Sequence, residues 1–167
     1  MRRLVDTVIE DARWQGADLA SVSEVASRAA LAALGLDPDN FELCLMGCSD
    51  ARIAELNGDF RAKPAATNVL SWPSAERGAA VEGAKPELPR ASAAMPAELG
   101  DIAIAWETCN READEQRKTL HNHVTHLIVH ATLHLLGYDH IREGDATLME
   151  KSETGILASL GVADPYS

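Results

Sequence analysis

Apolar positions in this chain recur at period two in four short runs and at helical spacing in five longer ones, and this alternation divides it into elements. Residues 4–10 (LVDTVIE) read as a short strand. Residues 41–47 (FELCLMG) read as a strand apolar on both faces, residues 67–72 as a third, and residues 99–106 (LGDIAIAW) as a fourth in which Ile102 and Ile104 face one side. Helical spacing covers 21–34, apolar at Val22, Val25, Ala29 and Leu34, with Ser21-x-x-Glu24 as a capping box and Gly35 as its stop. A short helix starts at Ser49 or Asp50, carries Ile53 and Leu56, and ends at Gly58. Residues 107–118 are polar and helical. Residues 143–160 form a last amphipathic helix with Leu148, Met149, Ile156, Leu157 and Leu160 on its buried side.

The longest apolar helix is also the most unusual stretch. Residues 121–140 read HNHVTHLIVHATLHLLGYDH and hold all six histidines of the chain. At helical spacing His123, His126, His130 and His134 fall within an arc of about 80°, while His121 points the opposite way. Val124, Leu127, Ile128, Ala131 and Leu135 make the rest of this helix buried, and Thr119 is placed to cap it. Gly137 supplies a left-handed stop, and the turn it allows swings His140 back toward His130 and His134.

These elements predict a mixed α/β domain of the α+β class over residues 1–167, a small mixed four-stranded sheet packed with about five helices. Residues 74–98 are rich in Ala, Gly, Pro and Glu and have no period, which reads as a flexible loop within that domain.

Composition narrows the setting. Hydrophobic residues make up 46% and charged residues 25% of the 167, as in ordinary globular proteins. The Met1-Arg2-Arg3 start is soon followed by Asp6, Glu10 and Asp11, so no secretory leader or membrane span is read there. Cys44, Cys48 and Cys109 are odd in number and not spaced as metal pairs, which implies reduced thiols and a cytoplasmic location. A net charge of −11 argues against broad, unselective binding to nucleic acid, because such binding rests on Lys and Arg neutralising phosphates.

The candidate chemistry is His130-x3-His134-x2-Gly137-x2-His140. Three neutral imidazoles converging on a point are costly to hold without a cation. One zinc ion suits them, with its fourth position open to water as in catalytic rather than structural sites. The ligand spacing is that of the metzincin peptidases, but their glutamate general base is replaced by Ala131, whose methyl group takes up no proton. The site therefore points away from peptide hydrolysis. Arg61 and Lys63 stand in a loop with no carboxylate nearby in sequence. Lys63 reads as a solvated cation, whereas the planar fork of Arg61 suits an anionic substrate. Met149, a candidate floor for the metal, reads more simply as core.

HATLHLLGYDH resembles the HGxLHLLGYDH signature of the YbeY family, metal-dependent single-strand endoribonucleases of ribosomal RNA maturation. LNGDFRAKPAATNVLSWP is similar to the family's LNxxYRxxDxPTDVLSFP segment, LGDIAI to its LGDIxI strand, and the Met149–Gly161 tail to its last helix. The resemblance spans about residues 40–161 and departs at Ala131 (a family glycine) and Asn68 (a family aspartate). It implies that His130, His134 and His140 hold the zinc and that Arg61 is the functionally required arginine. His126 and Asp139 are placed to orient the ligands, though His126 equally suits the cleft wall and Asp139 a turn cap. The implied partners are single-stranded and ribosomal RNA, and ribosomal proteins or an assembly GTPase, with no membrane. The implied work is 16S rRNA 3′-end maturation and ribosome quality control. Two other functions compete: a non-catalytic, zinc-stabilised ribosome-assembly factor and, more weakly, a metallopeptidase.

Overall fold

The computed structural model describes residues 3–61 and 66–166, without the side chains of 59–61. Four strands, β1 (Val5–Ile9), β2 (Phe41–Cys48), β3 (Val69–Pro73) and β4 (Ala97–Ala105), form one sheet in the order β1-β2-β4-β3. The β1–β2 and β2–β4 pairs are parallel, and β3 runs antiparallel to β4 along the edge. Pro73 is tolerated at the end of that edge strand, where its missing N–H costs no ladder bond.

Six helices accompany the sheet among the described residues: α1 (Arg13–Gly16), α2 (Leu19–Ala33), α3 (Asp50–Arg61), α4 (Trp106–Glu115), α5 (Leu120–Leu135) and α6 (Glu143–Ser159). The helix beyond the five expected is α1, a single turn with little periodic signal. It buries Trp14, whose Nε1 donates to the Cys48 carbonyl at 2.9 Å.

The two sides of β4 explain the layering. Ile102 and Ile104 enter the main core with Leu43, Leu45, Leu31 and Ile128, contributed by β2, α2 and α5. Ala103 and Ala105 face the other way, against Ile53 of α3, Cys48 and Leu70. Helix α5 is therefore central, packed against β3 and β4 and against α2, α4 and α6. The Ser27 and Thr132 hydroxyls meet at 3.1 Å in its buried interface with α2.

Several local expectations change. Ser21 and Glu24 do not form a capping box, because α2 starts earlier, after a left-handed Asp18. The Glu24 carboxylate instead accepts the Leu4 and Val5 amides at 3.0 and 2.9 Å, tying α2 to the start of β1. Gly58 does not stop α3, which continues to Arg61, since an interior glycine weakens a helix by only about 1 kcal/mol. Ser49 caps α3, accepting the Arg52 amide at 3.2 Å, while Asp50 reaches across to accept the Thr108 amide at 2.9 Å in the first turn of α4. Residues 74–96 contain no helix or strand, and β4 begins at Ala97, two residues earlier than its pattern suggests. Cys44, Cys48 and Cys109 are all free thiols, and burial pushes Cys48 up to about 12. No described helix is long and apolar enough to cross a membrane.

Candidate metal centre

Thr119 accepts the Asn122 amide at 3.1 Å and starts α5, whose sixteen residues carry the imidazoles inward. His123 is buried, His126, His130 and His134 are half-buried, and His121 faces solvent, as the helical arc requires. The helix ends at Leu135, and Gly137 takes φ +101°, a conformation that suits glycine. A Cβ there would sit 2.4 Å from the Arg77 carbonyl oxygen, so the turn also needs glycine's bareness. Arg77 closes the turn from the other side by donating to the Leu135 carbonyl at 2.8 Å.

That turn returns His140 to the helix face. Ring centroids of His130 and His134 lie 4.7 Å apart, those of His134 and His140 5.1 Å, and those of His130 and His140 5.5 Å. One nitrogen from each ring lies within 4.8 Å of the others, a cup able to hold a single ion. Burial, reinforced by His130 and His140, lowers the His134 imidazole to about 4, so it is neutral with a free lone pair near pH 7.

Behind the cup stands Glu153 of α6, a residue with no exposed surface. One carboxylate oxygen takes a short hydrogen bond from His130 Nδ1, and the other accepts from His126 Nε2 at 3.2 Å and, closer, from the Tyr166 hydroxyl. Burial alone would raise this carboxyl, but the bonds from His126, His130 and Tyr166 outweigh it and hold it well below the usual range. An ionised carboxylate only accepts, so His130 donates from Nδ1, which leaves Nε2 as the ring nitrogen available to the cup. A carboxylate fixing a metal ligand's tautomer is a common support of metal sites, and the donor set fits a divalent ion of the zinc type.

The structure brings His126, His130, His134, Asp139 and His140 to one cleft of about 620 Å³. His126 shares Glu153 with His130. Asp139 accepts the His140 backbone amide at 2.7 Å and thereby shapes the turn. Met149 is packed in the core at 1% exposure. Arg61 ends α3, its side chain outside the described residues, as is the whole of Lys63. Asn68 has its own partner: its amide donates to Glu112 at 3.0 Å, and the same Glu112 oxygen meets His123 Nε2 at 2.9 Å. An ionised aspartate at position 68 would face that carboxylate with like charge, so the amide suits this chain.

Sequence reasoning missed Glu153. Its signal is a carboxylate at helical spacing between Met149 and Ile156, on the face otherwise buried. Arg77 and Tyr166 lie where no period marks them.

Fold and site together define a class: a mixed α/β protein whose histidine-bearing helix and glycine turn present an open three-imidazole cup. The family model described as Endoribonuclease YbeY matches residues 8–161. The Endoribonuclease YbeY of Cereibacter sphaeroides is 58% identical over 167 residues, covering 99% of this chain and 100% of that one. Those of Ruegeria pomeroyi and Azorhizobium caulinodans are 53% and 42% identical, each covering 98% of this chain and, respectively, 98% and 96% of their own. This chain belongs to the YbeY family. A solution structure of a Thermotoga maritima protein shares the fold with a TM-score of 0.55 at 19% identity, covering 98% of this chain and 99% of that one.

Proposed function

We propose that this chain is a zinc-dependent endoribonuclease that cuts single-stranded RNA in the cytoplasm. Its work is ribosomal RNA processing, including 16S rRNA 3′-end maturation, and ribosome quality control. The observation that carries the reading is the convergence of His130, His134 and His140 in a chain whose curated relatives are named endoribonucleases. A bound zinc ion supplies Lewis acidity and lowers the pKa of water toward 7.

The chain's own residues supply the rest. His130, His134 and His140 offer one ring nitrogen each, and Glu153 and the Gly137 turn set the directions of His130 and His140. Arg61 is the residue whose guanidinium suits phosphate oxygens, where a cation stabilises developing charge. Ala131 removes the general base that a peptidase needs and sets the peptidase reading aside. The net charge of −11 favours protein contacts beyond the RNA itself, with ribosomal proteins or an assembly GTPase as partners.

The test is incubation of pure protein with single-stranded ribosomal RNA, then with chelator, then with zinc restored, the metal content being measured on the same sample. Cleavage that stops on chelation and returns with zinc supports the reading. A protein that melts earlier on chelation but cuts no RNA under any metal condition is instead the assembly factor.

A further inference from the structure

The wall of the cleft beside the cup carries a tyrosine whose ring, as well as its hydroxyl, bears on the site. Two tyrosines line the cleft, and they differ sharply: Tyr138 is 4% exposed, whereas Tyr166 is 46% exposed. A tyrosine so exposed is ordinarily free to swing. This one is tied at both ends. Its hydroxyl donates to the buried Glu153, and its backbone amide donates to Asp164 at 2.8 Å, which in turn accepts from Thr154 of α6 at 3.3 Å. The ring also stands edge-to-face with His126, at 5.9 Å and 88°. The hydroxyl bond of Tyr166 thus ends on the same carboxylate that meets His130, which puts a half-exposed aromatic residue at a fixed position relative to the cup.

We propose that Tyr166 is a base-stacking residue that receives one nucleobase of single-stranded RNA beside the three-imidazole cup. The proposal rests on the endoribonuclease reading above and names how that site grips its substrate. Charge supplies the second argument. A protein of net charge −11 gains little from general phosphate neutralisation, so its hold on RNA needs a contribution that does not depend on surplus Lys and Arg. Stacking on an aromatic ring is such a contribution: every base has a face, so it is tolerant of sequence. It also discriminates by strandedness, because a base in a duplex is already stacked on its neighbours and unavailable to the protein.

The test uses zinc-loaded protein and a fluorescein-labelled single-stranded 2′-O-methyl oligoribonucleotide, with binding read by anisotropy and zinc content and thermal unfolding read on each variant. Tyr166→Leu is expected to weaken binding roughly ten-fold or more relative to Tyr166→Trp, and because both variants lack the hydroxyl bonded to Glu153 their zinc contents should match each other. Tyr166→Trp, which keeps a stacking face, is expected to retain most of the affinity. An abasic site at the stacked nucleotide weakens wild-type binding and removes the difference between wild type and Tyr166→Leu. The proposal is overturned if Tyr166→Leu binds as wild type does, if Tyr166→Trp loses as much as Tyr166→Leu, or if the weaker binding of Tyr166→Leu goes with a zinc content below that of Tyr166→Trp. A wild-type protein that neither binds nor cuts single-stranded RNA defeats the endoribonuclease reading itself. Wild-type cleavage with unaltered binding by Tyr166→Leu defeats the stacking alone.

Discussion

The carboxylate of Glu153 accepts from Nδ1 of His130 across the interface between α5 and α6, and this contact leaves Nε2 as the His130 nitrogen available to the three-imidazole cup. Glu153→Gln keeps the size of the side chain and removes the charge that fixes the tautomer. We expect a roughly 10- to 100-fold loss of zinc affinity, measured by competition with a chromophoric chelator, with the circular dichroism of the protein unchanged. Undiminished affinity would remove Glu153 from the support of the site.

The Gly137 turn makes a separable prediction. An alanine there adds a left-handed strain of roughly 1–2 kcal/mol and presses its Cβ toward the Arg77 carbonyl oxygen at 2.4 Å. Gly137→Ala should lower the melting temperature by several degrees and weaken zinc binding as well, because His140 follows the turn. Gly155, inside α6 with nothing within 4 Å of an added Cβ, is the control. Gly155→Ala should stabilise the protein by up to about 1 kcal/mol, and thermal unfolding of the pair checks both signs.

Acid stability has a named contributor in Glu24. Burial would raise its carboxyl, but the Leu4 and Val5 amides and the Arg28 guanidinium together hold it below its ordinary value of 4.5. A carboxyl depressed in the folded state stabilises fully above the unfolded value, and that stabilisation fades as pH falls through the folded value. Glu24→Gln should therefore cost about 1–3 kcal/mol at neutral pH. The gap from wild type should narrow once pH falls below 4.5, as followed by urea unfolding across the range. A pH-independent gap would show that shape rather than charge matters at this position.

Much of this arrangement is legible in the residue pattern, for a physical reason. The Ile102/Ile104 alternation of β4 and the histidine arc of α5 are periodic, and periodicity survives folding because each face meets a different environment. The metal cup is likewise local, since His130, His134, Gly137 and His140 lie within eleven residues and one turn sets their geometry. Glu153 and Tyr166 reach the cup from 23 and 13 residues beyond His130 and Glu153 respectively, so tertiary packing alone brings them there. Glu24 shows the opposite hazard: its local motif names a capping box, while the nearby β1 offers two amides that win the carboxylate. Asn68 departs from the family pattern in a way that only its contact with Glu112 explains.

Arg61 closes α3, and we propose that it serves the substrate rather than the ion. Arg61→Ala should keep its zinc and lose RNA cleavage by at least ten-fold, with metal content and cleavage rate measured on one preparation. Cleavage at the wild-type rate would remove the residue from the mechanism.

We propose that His130, His134 and His140 share one ion, and calorimetric titration of metal-free protein with zinc tests this most directly. The wild type should bind one ion per chain at high affinity, and His130→Ala, His134→Ala and His140→Ala should each abolish that binding while leaving the circular dichroism in place. Wild-type affinity and stoichiometry in His140→Ala would contradict the claim, because the ring returned by the glycine turn would then have no part in holding the metal.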